Sequence, residues 1–393
     1  MSKRVLFTVF MIVIIFGASG IAILFAKGYT FSTSQKRIIG TGIISATSEP
    51  DSASVFIDGH LTTATNATIS SLPPKKYAVK IVKEGFIPWE KEVEVREGLV
   101  SELKVTLFPA IPTIYPLTYN GVKNPTLSPD ASKLVFVVPS GKKAGVWVWT
   151  MARNQPIAFA RSSEPHQISL TTGAVDFTNS AFKWSPDSKQ IIATIGNEQS
   201  SSSSNNYLLD SESLNNDPRD ITPTLTSTLK SWSDDLGVKD DARLLTIKDL
   251  NVRNIASQSA LLRWSPDETK LFYVPTISVP NQKSTVTIRN TEASSSGAII
   301  NGAKVYDLET RQSYDLPSGR LLFWLSDSRH IVLVENGTVS IIDFDGSNKA
   351  IIYAGNFLND FVFAWPDASR LVLMSTFPTP TASEPNLYGI NLK

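Results

Sequence analysis

Five aspartates, Asp130, Asp187, Asp267, Asp327 and Asp367, hold the same place in five copies of one short stretch. Three follow a serine and a proline, as in Ser128-Pro129, Ser185-Pro186 and Ser265-Pro266; the other two follow Leu325-Ser326 and Trp365-Pro366. Carboxylates recurring in this way could act as general acids or bases, or as the acid pair that cleaves a glycosidic bond. They could equally end a strand. Serine followed by proline presets a type I turn, and the aspartate side chain accepts hydrogen bonds from the amides just beyond it. A nearly unbroken apolar run follows, such as Leu134 to Val138 or Ile331 to Val334. The five aspartates therefore read first as structural turn residues, with catalysis as the competing use.

Other chemistry is sparse. The 393 residues contain no cysteine, which removes thiolate nucleophiles, thiolate metal sites and disulfides. The three histidines, His60, His166 and His330, lie far apart in sequence. Neither a Gly-x-Ser-x-Gly elbow nor a glycine-rich phosphate loop occurs. Asp343 to Asn348 superficially resembles a calcium loop, but it lacks the glutamate at the twelfth position and sits where a hairpin turn belongs. No catalytic, cofactor-binding or metal-ligating residue is assigned, and no cofactor is expected. With 37 basic and 36 acidic residues the formal net charge is +1, which argues against a nucleic-acid partner.

The repeat also predicts the elements that carry it. Its aspartates are separated by 57, 80, 60 and 40 residues, and the shortest interval is the size of one four-stranded propeller blade. Trp184, Trp264 and Trp324, each three residues before an aspartate, stand at blade-core positions. The last unit lacks a fourth strand, and Pro112 to Tyr119 offers a spare one, so these two segments are expected to pair and close a ring of about five blades. The long second interval contains Leu225, Leu229, Trp232 and Leu236 at helical spacing. A helix over 224–236, stopped by Gly237, is expected within an insertion at about 223–250, with Trp232 as a candidate partner contact. Two polar stretches, 199–206 and 281–297, are expected as mobile loops. The motif followed by apolar strands resembles the β-propeller of the TolB type, whose turns read Ser-Pro-Asp-Gly. Here serine, alanine or glutamate replaces the glycine in every copy.

The N-terminal part differs in kind. Val5 to Ala26 carries no charge, and as a helix it would rise about 33 Å against a hydrocarbon core of roughly 30 Å. It is expected as a transmembrane signal anchor (5–26) behind a cytoplasmic leader (1–4), with a cleaved signal peptide ending near Ala18-Ser19-Gly20 as the alternative. Ala18, Ala22 and Ala26 form a small-residue row that predicts a weak dimer through the anchor. After a linker (27–39), residues 40–109 switch to alternating strands, for example Tyr77, Val79 and Ile81 against Lys76, Ala78 and Lys80. Six antiparallel strands in a small sandwich are predicted. Pro50-Asp51-Ser52-Ala53, the Val55 to Gly59 hairpin, Leu72 to Tyr77 and Gly85-Phe86 together resemble the PEGA domain. That resemblance implies an extracytoplasmic module without catalytic residues.

The expected fold class is thus all-β: a transmembrane helix, a PEGA-like sandwich, and a TolB-like propeller (110–393) with a short helical insertion. The expected protein sits in the cell membrane by a single pass, N-terminus cytoplasmic and bulk extracytoplasmic. It is expected to bind or scaffold, presenting the propeller to an envelope protein or a cell-surface polysaccharide. The competing class is a propeller enzyme, a hydrolase or lyase of surface glycans.

Overall fold

The computed structural model describes residues 3–26, 28–32, 37–151, 164–170, 175–196, 204–259, 261–275, 288–289, 299–377 and 384–393. The chain forms two compact units, Met1–Ile111 and Pro112–Lys393.

The first unit opens with helix α1, Lys3–Ala26. The membrane anchor expected there is overturned, because among the described residues no helix is long and apolar enough to cross a membrane. The single-pass placement and its cytoplasmic N-terminus fall with it. Residues 27–39, expected as a linker, contain the strand Tyr29–Ser32, which pairs antiparallel with Arg37–Gly40.

Two sheets follow. One orders Ala67–Leu72, Gly42–Glu49 and Val100–Thr106; the other orders His60–Ala64, Ser54–Ile57, Lys76–Val82 and Trp89–Glu94. Alternation places Tyr77, Val79 and Ile81 in a shared core with Ile44, Val55 and Trp89. The expectation of purely antiparallel pairing fails at one seam, since Gly42–Glu49 runs parallel to Val100–Thr106. Parallel neighbours need a long connection, and the whole second sheet lies between these two strands in sequence.

The second unit contains five sheets that follow one another along the chain. Each of the first four begins with a strand ending at a repeat turn, and its second strand is the apolar run: Lys133–Val138, Gln190–Ile195, Lys270–Val274 and His330–Glu335. These second strands are flanked on both sides, and all six residues of Lys133–Val138 are buried. The fifth sheet orders Ile114–Pro116, Asn386–Asn391, Arg370–Ser375 and Val362–Ala364. The spare strand therefore pairs with the C-terminal one, Ile114 opposite Ile390 and Pro116 opposite Tyr388. Three of the seams between sheets carry a shared core. The first and second sheets share a core, the third and fourth share another, and the fifth closes on the first through Phe363, Trp365 and Met374 against Phe136 and Trp149. Trp149 and Trp365 meet edge to face at 5.4 Å between centroids.

Three further expectations are corrected. Helix α2 spans Leu225–Leu244 and passes through Gly237 instead of stopping there. An interior glycine costs only about 1 kcal/mol, and the helix end reaches a core where Leu244 packs with Leu262 and Trp264. A second inserted helix, α3 (Leu250–Ser257), is capped by Asp249, whose side chain accepts from the amides of Asn251 and Val252. Within the two polar stretches, Asn205 and Asn206 begin a strand and Ile288–Arg289 pairs parallel with Leu261 and Leu262, while most of the rest lies outside the described residues. The fold class is accordingly mostly β in separate open sheets, with α2 and α3 inserted and without the transmembrane helix.

The closing strand makes a stability test possible. Ile390 is fully buried and faces partners on both sides, whereas Ile114 is 41% exposed. Ile390→Ala is expected to destabilise the chain by about 2–4 kcal/mol, and Ile114→Ala by well under half of that. Urea unfolding followed by tryptophan fluorescence reads the difference, and equal midpoint shifts for the two variants would contradict the packing described.

Candidate functional site

The repeat aspartates all lie in tight turns between the first and second strands of their sheets. In each copy the amide two residues before the aspartate donates to the carbonyl three residues after it, as from Ser128 to Lys133 and from Trp365 to Arg370. The carboxylates complete the turn. Asp130 accepts from the Ser128 hydroxyl at 2.6 Å, the Ser132 amide at 3.1 Å and the Ser132 hydroxyl at 2.7 Å. Asp187 accepts from the Ser185 hydroxyl at 2.6 Å and the Lys189 amide at 3.2 Å; Asp267 does the same from Ser265 at 2.6 Å and Thr269 at 3.0 Å. Asp367 accepts from the Ser369 amide at 2.9 Å.

Protonation follows these contacts. The Ser185 hydroxyl draws the Asp187 carboxyl below the usual carboxylate range. At Asp130 and Asp267 burial pushes the other way, but the hydroxyl and amide bonds outweigh it and both carboxyls are again lowered. A general acid needs the opposite shift.

The residue after each aspartate explains the departure from the Ser-Pro-Asp-Gly pattern. Ala131, Ser188, Glu268, Ser328 and Ala368 all have positive φ, between 56° and 60°. The turn still requires the left-handed conformation, although this chain supplies no glycine for it. Ser52, at the glycine position of the Pro-Glu-Gly-Ala pattern in the first unit, is left-handed too, at 57°.

The fourth turn is built differently. Leu325 stands where the first three copies have serine, so no hydroxyl is available there. The His330 amide instead donates directly to Asp327 at 3.1 Å. The buried His330 ring, 4% exposed, places Nδ1 2.5 Å from Asp327 and Nε2 3.4 Å from Asp343 across the strand pair. Burial opposes a charge on this ring, but the bonds to the two carboxylates prevail and raise its pKa to about 9. At Asp327 burial also opposes the charge and His330 again outweighs it, holding that carboxyl low. His330 thus serves as a charged framework group. Asp343, which the sequence placed only in a calcium-like loop, is its partner, and its other oxygen accepts from Asn348 at 2.9 Å. Asp345 accepts from Ser347 at 2.6 Å, so this loop closes on itself. Among the described residues no group of three or more His, Asp or Glu side chains could hold a metal.

The motif tryptophans do more than fill cores. Trp184 donates from its indole to the Thr126 carbonyl of the preceding sheet at 3.0 Å, and Trp324 to the Arg263 carbonyl at 3.2 Å. Trp264 makes no such bond. Trp232 sits half-buried on α2, away from the turns in sequence.

A cleft that no sequence motif announced lies at the seam between the first and fifth sheets. It holds about 360 Å³ and is lined by Tyr119, Asn120, Lys143, Trp147 and Glu164 over a floor of Phe136 and Val138. Tyr119 lies on the segment between the closing strand and the first sheet, and Trp147 on the third strand of that sheet.

Residues 41–111 match the PEGA domain. No curated protein matches the sequence. Among solved structures, TolB from Acinetobacter baumannii is similar at 13% identity and a TM-score of 0.24, over 81% of this chain and 60% of that one. The β-propeller domain of the Trilobed protease from Pyrococcus furiosus is similar at 15% and 0.22, over 52% and 51%. Oligogalacturonate lyase from Vibrio parahaemolyticus is similar at 9% and 0.27, over 81% and 86%. Likenesses this low transfer neither activity nor ligand. The chain spans about 60% of the length of the Acinetobacter protein.

Two outcomes are expected. The folded His330 pKa lies above the ordinary 6.5, so the folded state holds this proton more tightly than the unfolded chain does. The resulting stabilisation is complete below about pH 6.5 and is lost as pH rises through about 9. Unfolding midpoints measured from pH 6 to 10 should fall in that window for the native chain and flatten in His330→Gln; a native profile as flat as the variant's would refute the ion cluster. Separately, Ala131→Gly and Ala368→Gly are expected to raise stability by about 1 kcal/mol each, because glycine enters the left-handed region without the steric penalty. Lower melting temperatures in both variants would show that these turns are not strained.

Proposed function

We propose that the protein is an extracytoplasmic binding or scaffolding protein. Its PEGA domain acts as a spacer, and its five-sheet unit is a propeller-like platform that engages an envelope protein or a cell-surface polysaccharide. The observation that carries this reading is the use to which the acidic residues are put. The repeated carboxylates, the groups that recur most regularly in the chain, are engaged by their own turns, and those of Asp130, Asp187, Asp267 and Asp327 are held below the usual carboxylate range. A glycan hydrolase needs one carboxyl that holds its proton near neutral pH beside another that does not. His330, the one histidine locked between acids, is buried and bonded on both ring nitrogens, so it offers no free base.

The PEGA match over residues 41–111 supports work outside the cytoplasm, since that is the setting its resemblance implies. The absence of a basic excess supports a protein or glycan partner over a nucleic acid.

Immobilised full-length chain, passed over purified envelope polysaccharides and envelope proteins, should retain one class saturably. The polymer should be recovered at unchanged length after prolonged incubation. Shortened chains or newly unsaturated ends would establish the enzyme class instead, and no saturable retention at micromolar protein would remove the binding reading.

A further inference from the structure

The cleft at the seam of the first and fifth sheets has the makings of a preorganised ligand site. Its volume of about 360 Å³ falls within the roughly 300–1,000 Å³ common for small-molecule sites. One wall is Tyr119, 75% exposed although it projects from a rigid segment. Exposure of a large ring is ordinarily a sign of looseness, but here the backbone on both sides is fixed. Asn386, 4% exposed, accepts on Oδ1 from the Thr118 hydroxyl at 3.0 Å and from the Gly121 amide at 3.1 Å. The Thr118 hydroxyl in turn accepts from the Leu387 amide at 2.9 Å, and the Val122 amide donates to Pro385 at 2.7 Å. Gly121 is left-handed at +80°, and a Cβ there would come within 2.9 Å of Glu384, so only glycine permits this path.

Trp147 also lines the cleft. Its indole N–H is already bonded to the Lys143 carbonyl at 2.8 Å. What Trp147 offers a ligand is therefore its ring and not a hydrogen bond. Beneath lie the buried rings and methyls of Phe136 and Val138, and around the rim stand the Asn120 amide, the Lys143 ammonium and the Glu164 carboxylate.

Aromatic walls with a rim of both charge signs and an amide match a particular ligand chemistry. A ring with C–H-rich faces and a belt of hydroxyls can lie against aromatic carbon, while each hydroxyl donates to Glu164 or accepts from Lys143. A ligand of single charge would meet a like charge at one of those two positions. We propose that this cleft is a saccharide site that takes an uncharged pyranose unit, one or two rings long, with Tyr119 and Trp147 as its stacking walls. The assignment rests on the binding reading above and names the ligand class and its place.

The test uses the full-length chain, titrated with uncharged glucose-, galactose- and N-acetylglucosamine-based disaccharides and followed by intrinsic tryptophan fluorescence and calorimetry. One of these should bind saturably and quench or shift the emission. Tyr119→Ala, which removes an exposed side chain and leaves the Thr118–Asn386 bonds in place, should weaken that binding about tenfold or more. Lys143→Ala should weaken it several-fold, with an unchanged unfolding midpoint in both variants. The site is overturned if no disaccharide binds, or if binding survives both substitutions. A proline-rich peptide that binds in a Tyr119-dependent way, with no saccharide doing so, overturns the ligand class. Retention of a polysaccharide or envelope protein by the immobilised chain, undiminished by Tyr119→Ala, sinks the cleft but leaves the binding function standing. Loss of all retention removes both.

Discussion

The second unit depends on a carboxylate that closes a strand reversal. In each of the five turns an aspartate gathers the amide two residues beyond it, and in the first three a serine hydroxyl as well. That closure forces the next residue into the left-handed region and fixes where the following strand begins. Everything else in the sheet is set by that starting point. The second strand enters at a constant depth, so its side chains alternate between the two inter-sheet cores. The tryptophan before the turn reaches back to the neighbouring sheet in two copies.

Regularity of this kind limits where specificity can reside. A group engaged at every turn by the same bonds cannot readily differ in reactivity from copy to copy. Variation is confined to side chains that the turn does not use. One is the residue three beyond the aspartate, which pairs with the last residue of the third strand: Lys133 with Thr150, Lys270 with Asp307, His330 with Asp343. Lys133 uses it to reach Ser211 and Glu212 at 3.0 Å, tying the first sheet to the chain after the second sheet's third strand. Arg370 uses it to stack 4.9 Å over Trp365. The other place for variation is the loops, where Tyr119 lies.

What could be read in the sequence was whatever repeats or alternates. The turn aspartates, the apolar second strands and the pairing of 112–119 with the C-terminal strand all follow from periodicity, and Ile114 does pair with Ile390. What escaped was set by tertiary context. Gly237 looked like a helix stop because local propensity sees one residue at a time, while Leu244 and Ile247 hold the end of the insertion in the third-sheet core. Hydropathy read residues 5–26 as an anchor, and the described helix did not sustain that. The parallel pair in the sandwich escaped because alternation reports which face is buried and is blind to strand direction. The His330–Asp343 pair arises from strand register and the Tyr119–Trp147 cleft from a segment pinned by Asn386, and neither leaves a local pattern.

The closing pair of strands also bears on how the chain is made. Ile114 is synthesised early in the second unit, and its partner Ile390 only 276 residues later. Until then the first strand has no neighbour in its sheet. At a ribosome adding roughly 5–20 residues per second, that wait is on the order of tens of seconds. During it an unpaired edge and the apolar faces of the first sheet are open to other nascent chains. The seam therefore makes the pairing of Ile114 with Ile390 a late event in the unit's assembly.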